Sequence, residues 1–444
     1  MQDEERTKKF NDLSVKYSQF YKGKIMVLPK VPINTLSDFS YWYTPGVAEV
    51  SRRIAADSDL SFDLTGRWNS IAILTDGTRV LGIGNVGPEA AMPVMEGKSM
   101  IFNYLGGVNA VPIPIRTKTK EEFITVAKAL EPSFGGYNLE DIESPKCFYI
   151  LRELQKELTI PAWHDDQLGT ACIILAGIIN SLRLSGKKIE DAQVVFIGSG
   201  AANIAASNLL ISAGFKPGNL ILVDSKGILE PEREDIDSLM INNPWKYELA
   251  LNTNRDRKKG GIPEALSGSD IVVSAAKSDS NTIKPQWIKK MNNYPVIFAL
   301  ANPVPEIWPH VAKEGGAKIV ATGRGDFPNQ INNSLVFPGV FRGVLDARAK
   351  GVNFSIMVKA SYEIADFVSE LDDDNIVPKM TDTDLYPQVA SAVAKATEDE
   401  GLARRTGSKK MFYDIAKDII EENRKIFRKL MDEKLIRNLP GEQQ

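Results

Sequence analysis

Cysteine and histidine are scarce in this 444-residue chain, which has two of each: Cys147 and Cys172, His164 and His310. Two cysteines cannot build a disulfide framework, so a reducing compartment is expected. Two histidines exclude a multi-histidine metal site. An excess of one charge is lacking too, since 54 basic and 57 acidic residues leave a net charge of −3. No positive surplus is available to meet the phosphates of nucleic acid. Long hydrophobic runs are missing: the longest, Ala171 to Ile179, falls short of the ~20 residues a membrane helix needs. The opening MQDEERTKKFNDLS mixes both signs around no apolar core, unlike a signal or transit peptide. The expectation is a soluble, cytoplasmic protein with neither nucleic acid nor membrane as partner. Internal repeats and low-complexity tracts are also absent from the sequence.

What is present is ordinary globular composition, 43% apolar and 25% charged. The length suggests two or three domains. Residues 1 to about 60 read as helices and turns broken at Pro29, Pro32 and Pro45. Two strand-like runs follow, SIAILT and RVLGI, split by Asp76-Gly77, a tight-turn signal. Pro88 opens a helix, and Lys120 to Leu130 forms another. After Gly169 the style changes. TACIILAGIINSLRLSG reads as an apolar helix ending at Gly186. QVVFI, LILVD, IVVSAA, VIFALA and KIVATG are short, apolar and rich in β-branched residues. Helix-like or loop segments separate them, as in a parallel sheet buried on both faces. From Ser355 the chain reads as helical, and Met411, Phe412, Ile415, Ile419, Phe427, Leu430 and Met431 suggest a packing face.

Two glycine motifs compete for a phosphate. Gly82 to Gly87 reads GIGNVG, and Gly198 to Asn203 reads GSGAAN. The second follows a strand and opens a helix, and its next strand ends on Asp224. That context fits a dinucleotide: Gly198, Gly200, Ala201, Ala202 and Asn203 bring backbone and helix N-terminus to the pyrophosphate, and Asp224 meets a ribose. Asn203 stands where a third glycine is usual, which predicts looser helix–strand packing. The first motif lacks an acid at the right offset and reads as a turn. Asp224 favours a free ribose 2′-hydroxyl, while Lys226, Lys187 and Lys188 could pair with a 2′-phosphate, so NAD and NADP both stay open.

Two acidic pairs stand out, Glu140-Asp141 and Asp165-Asp166. Adjacent acids are costly to bury, so they are either solvated or coordinated. The bland readings are a solvated turn and a helix cap. Apolar and aromatic neighbours, among them Phe134, Tyr137, Phe148 and Trp163, favour coordination. Carboxylates without sulfur suit Mg²⁺ or Mn²⁺. Lys98 could act as a base if partly desolvated or beside a cation. Tyr43 could deliver a proton, although most tyrosines only pack. Asn302, Asn332 and Asn333 follow strand-like runs, where ligands bind in open α/β sheets; turn chemistry is the alternative.

These residues resemble the malic enzymes, closest to the compact type of bacteria and archaea. YTPGVAE, TDGTRVLGIGNVGPEAAMPVMEGK, FGGYNLEDIESPKCF, HDDQLGTA, IGSGAAN, ALANPVPEI and TGRGDFPNQINNSLVFPGVFRG follow one another from about Tyr41 to Asp346. The resemblance implies an α/β protein with three parts. An N-terminal substrate domain spans 1–165, a Rossmann-type doubly wound parallel-sheet dinucleotide domain 166–350, and C-terminal helices 351–444. It also implies oxidative decarboxylation of (S)-malate to pyruvate and CO2 with NAD or NADP and Mg²⁺ or Mn²⁺. Lys98 would be the general base and Tyr43 the general acid. Glu140, Asp141 and Asp166 would bind the metal, with Asp165 beside the lysine. Asn302 and Asn332 would contact malate or nicotinamide. Arg79 falls where larger members place a malate-binding arginine. A homo-oligomer is implied, a dimer most readily. Rival readings are an amino-acid dehydrogenase, which would need no metal acids, and a dinucleotide sensor, which would need neither Lys98 nor Tyr43.

Overall fold

The computed structural model describes residues 2–440. Two parallel sheets organise it. The first has strands β1 (Ser70–Thr75), β2 (Asn109–Pro114), β3 (Gly136–Leu139) and β4 (Ala162–His164), in the order β2-β1-β3-β4. All three pairings are parallel. The helix Pro88–Gly106 links β1 to β2 and starts with proline at its first turn. Its buried positions include Ala91, Met95, Lys98, Phe102 and Leu105. That spacing of three and four residues draws one helical face toward the core, and Lys98 lies on it.

The second sheet comprises β5 (Val194–Ile197), β6 (Leu220–Asp224), β7 (Gly227–Ile228), β8 (Ile271–Ser274), β9 (Val296–Ala299) and β10 (Ile319–Thr322). Its order is β10-β9-β8-β5-β6-β7, and only β7 runs antiparallel. Val194 and Phe196 join one apolar core, while Val195 and Ile197 join another on the opposite face. Alternating side chains that are apolar on both faces make a sheet covered on both sides. The chain order reverses between β5 and β8, which opens a crevice at their carboxyl ends.

The helix Thr170–Ser185 joins the two sheets, and every residue from Ala171 to Leu182 is buried. By length and composition Asp165–Ser185 would suffice to cross a membrane, yet most of it is buried within the protein. It reads as a core helix. One continuous core runs along it from the first sheet to the second. The helix Phe354–Asp366 packs on it, Leu385–Asp399 packs on Phe337–Asp346, and Lys409–Asp432 covers Leu385–Asp399 and Pro88–Gly106. In that last helix Phe412, Ala416, Ile420 and Arg424 are buried; Phe427 and Met431, expected on the packing face, are exposed.

RVLGI does not form the expected strand. Asp76 Oδ1 accepts from the Thr78 amide at 3.1 Å, and Leu81 takes a positive φ of 46°. The segment folds over Asp141 instead: the Arg79 amide donates to the Asp141 carbonyl at 2.9 Å, and the Leu81 amide to Asp141 Oδ1 at 3.3 Å. Turn chemistry at Asp76-Gly77 overrides a short β-branched run.

Candidate active site

The carboxyl ends of β3 and β4 place four acids side by side. Glu140-Asp141 leave β3, and Asp165-Asp166 leave β4 in a π-helical turn, Asp165–Gly169. Lys98 reaches them from its helix. Its Nζ donates to Glu140 Oε1 at 2.6 Å and to Asp165 Oδ2. Asn333 Nδ2 donates to the same Asp165 oxygen at 2.5 Å. The Asp141 amide donates to Asp166 Oδ2 at 2.9 Å. Trp163 Nε1 donates to Asp165 Oδ1 at 3.1 Å, and Asn138 Nδ2 to Glu140 Oε2 at 2.8 Å. Neither Trp163 nor Asn138 stands out from spacing as a site residue. Their signal was proximity, each lying two residues before an acid.

The electrostatics of this cluster are strained in one direction. Burial pushes Glu140 well above the usual carboxylate range; Lys98 pulls it back only partly, and Asp166, Asp165 and Asp141 raise it further. Burial and the Asp166 charge push Asp141 up to about 7. Asp165 is raised by burial too, against the pull of Lys98. Burial would lower Lys98, but Asp165, Glu140 and Asp166 outweigh it and hold the ammonium charged. His164, buried beside them, is pushed down to about 4 by desolvation and stays neutral. One oxygen each from Glu140, Asp141 and Asp166 lie within 4.8 Å of one another. Asp141 Oδ2 is buried with no hydrogen-bond partner. Crowded, partly unpaired carboxylate oxygens fit a hard divalent cation.

Across from this cluster lies the dinucleotide crevice. Gly198 has a φ of +88°, and a Cβ there would stand 2.7 Å from the Ala275 carbonyl oxygen; only glycine fits. Gly200 faces open space, and Ala201 and Ala202 start the helix Ala201–Ser212. Their free amides can cradle a pyrophosphate. Asn203 corrects the expectation of loose packing. It is fully buried, and its Nδ2 donates to the carbonyls of Ile197 at 2.9 Å and Gly198 at 2.8 Å. The amide ties the glycine turn down where a third glycine would leave it free.

Asp224 ends β6 as expected, but it is not alone. Arg233 Nη2 donates to both its oxygens at 3.2 and 3.3 Å, and Lys246 Nζ lies 3.5 Å away. Lys226 instead pairs with Asp235 at 2.9 Å. Lys187 is bound to Asp270, just ahead of β8, at the amino ends of the strands and so opposite the crevice. Asn332 Oδ1 accepts from the Ser334 amide at 2.9 Å, which is turn capping. Asn302 is exposed beyond β9. The first glycine motif is a loop, as read, and a Cβ on Gly82 would lie 3.0 Å from the Asn302 carbonyl oxygen. This loop of one sheet's domain therefore touches the other's. Arg79 is exposed, and Tyr43 is 69% exposed in a segment without buried residues.

A glycine turn able to hold a pyrophosphate, together with a buried amine set among acids, is equipment for moving a hydride and a proton together, which makes this a dinucleotide-dependent oxidoreductase. Comparison with known proteins narrows the class. Residues 22–155 match the malic enzyme N-terminal domain, and 168–398 match the malic enzyme NAD-binding domain. The chain is 44% identical to a NAD-dependent malic enzyme of Geobacillus stearothermophilus, over 86% of this chain and 78% of that one. It is 44% identical to a bifunctional malic/malolactic enzyme of Bacillus subtilis, over 87% and 92%. The crystal structure of Entamoeba histolytica malic enzyme superposes with a TM-score of 0.94 at 40% identity, covering 98% of this chain and 91% of that one. The chain belongs to the malic enzyme family, the NAD- or NADP-dependent malate dehydrogenases that decarboxylate their product.

Proposed function

We propose that this chain oxidises (S)-malate and releases CO2 and pyruvate at the Lys98 cluster, with Mg²⁺ or Mn²⁺ held by Glu140, Asp141 and Asp166. The observation that carries this reading is a buried lysine bonded to two carboxylates beside three convergent acid oxygens. A bound cation would supply Lewis-acid polarisation of the substrate oxygens. Lys98, once neutral, takes the C2 hydroxyl proton as hydride leaves C2. Asp165, fixed by Trp163 and Asn333, orients Lys98 and stabilises the ammonium that forms. In this reading Arg79, whose amide is anchored on Asp141, takes a malate carboxylate with its guanidinium. The initial rate of nicotinamide reduction with malate and Mn²⁺ tests the whole reading. Malate-dependent reduction abolished by EDTA is expected; none from folded protein would overturn it.

NADP is the expected preference. Arg233, Lys246 and Lys226 set three cations against Asp224 and Asp235 at the ribose end. Asp224 alone would repel a 2′-phosphate, but here its charge is already met. Arg233→Ala should therefore raise KM for NADP roughly tenfold and leave KM for NAD nearly unchanged. Equal effects on both would remove the assignment.

Tyr43 acts across a dimer in this proposal. Val27 is 96%, Leu36 84% and Tyr41 72% exposed, an apolar arm that a second copy of the chain would cover. In this reading Tyr43, which lies in that arm, protonates C3 in the partner's site. Mixing inactive Lys98→Ala and Tyr43→Phe proteins under subunit exchange should recover about a quarter of wild-type activity, because half the dimers carry one intact site. Tyrosine acting within its own subunit would recover none.

A further inference from the structure

Glu306, in ALANPVPEI, is fully buried, and no ion pair reaches it among the described residues. Its Oε1 accepts from the Ala276 amide at 2.8 Å, and its Oε2 from the Ala301 amide at 3.0 Å. Ala276 lies two residues beyond β8, and Ala301 two beyond β9. One carboxylate thus ties together the loops leaving two neighbouring strands at matching positions. Burial raises its pKa, and the backbone amides oppose that by bonding the charged form. Burying a carboxylate without a cation is costly, so its persistence here needs a reason. Only a carboxylate can accept from two amides with two oxygens; a glutamine has one acceptor oxygen and turns its NH2 toward the other donor.

The two loops hold the parts that must align. Ala275, next to the clamped Ala276, presents the carbonyl against which Gly198 packs. Asn302, next to the clamped Ala301, presents the carbonyl that faces Gly82 of the other domain. Ser278 repeats the tie further out, its Oγ bonding Val304 N and O at 3.0 Å each. Arg324 Nη1 donates to the Pro303 carbonyl at 2.7 Å.

We propose that Glu306 is a positioning residue for hydride transfer, clamping the β8 and β9 loops into one platform that sets the nicotinamide end of the crevice against the substrate domain. The proposal rests on the malic-enzyme reading only for the identity of the substrate. The test is Glu306→Gln in the full chain. The dissociation constant for reduced dinucleotide, from nicotinamide fluorescence without malate or metal, should rise roughly tenfold. Amide exchange in 275–278 and 300–304 should quicken in the free protein. Mn²⁺ affinity should not move, which a general loss of structure would not permit. The isotope effect on kcat/KM with malate deuterated at C2 should increase, since misalignment slows the hydride step itself. Should that variant fail to fold, Ser278→Ala, at an exposed position, should give the same pattern with smaller changes. A folded variant with unchanged dinucleotide affinity and unchanged exchange overturns the clamp. If wild-type protein fails to oxidise malate while the affinity and exchange effects persist, the substrate reading falls and the clamp stands.

Discussion

Lys98→Ala should lower kcat for malate oxidation by roughly 10²–10⁴-fold, the span that a positioned proton acceptor contributes. The effect should fall on kcat far more than on the dinucleotide KM, because Lys98 touches acids at the ends of β3 and β4, not the glycine turn. Lys98→Arg should not rescue it. A guanidinium keeps its proton under all working conditions and cannot serve as a base. The fold should survive, since Glu140 and Asp165 are already raised in pKa and can take up protons when the ammonium is gone. Steady-state kinetics with circular dichroism and dinucleotide binding as controls would decide the matter. Activity within fivefold of wild type in Lys98→Ala would end the assignment.

The second large effect concerns stability. Arg342, on the helix Phe337–Asp346, is fully buried. Its Nη2 lies 2.7 Å from Asp346 Oδ1, its Nη1 donates to Asn69 Oδ1, and its guanidinium covers the Trp68 ring at 5.6 Å. Arg342→Met leaves Asp346 buried and unpaired, at a cost of about 3–5 kcal/mol. Adding Asp346→Leu should restore most of that loss, because two apolar residues can replace a buried pair at little cost. Guanidinium unfolding midpoints for the single and double variants would test it. If both variants were equally destabilised, packing on Trp68 would be the operative contribution and the charge pair would matter little.

Much of this architecture is legible in the residues themselves. The strands of the second sheet are short β-branched runs with no polar face, and a buried parallel strand has few other spellings. Lys98 carries a stronger signal than its motif suggests. Apolar residues at 91, 95, 102 and 105 share its helical face, so periodicity places the lysine in a core, where an unpaired charge cannot stay. RVLGI reads wrongly because five residues hold too little periodicity to outvote a turn on either side. Asn203 is misjudged when a motif position is treated as a space to be filled; the side chain makes hydrogen bonds there. Glu306, Trp163 and Asn138 are hidden for another reason. Glu306 acts by tying together two loops, which leaves no local pattern; Trp163 and Asn138 act through geometry at a strand end, and their place two residues before an acid is the one local mark they carry. Asn332 and Asn333 are adjacent and alike, yet one caps a turn and the other reaches Asp165; only the backbone path separates them.

The helix Thr170–Ser185 bears on how such a protein can be rebuilt. Its buried residues belong to a core shared by both sheets, so the first sheet has no interior apart from it and the second has one only on its opposite face. A chimaera joined near residue 166, made to import another cofactor preference, would graft a foreign wall onto half a core. Exchange of a few side chains around Asp224 leaves that shared interior intact. For this scaffold, new cofactor use is reached by editing the rim of the crevice, and the modules themselves are not portable.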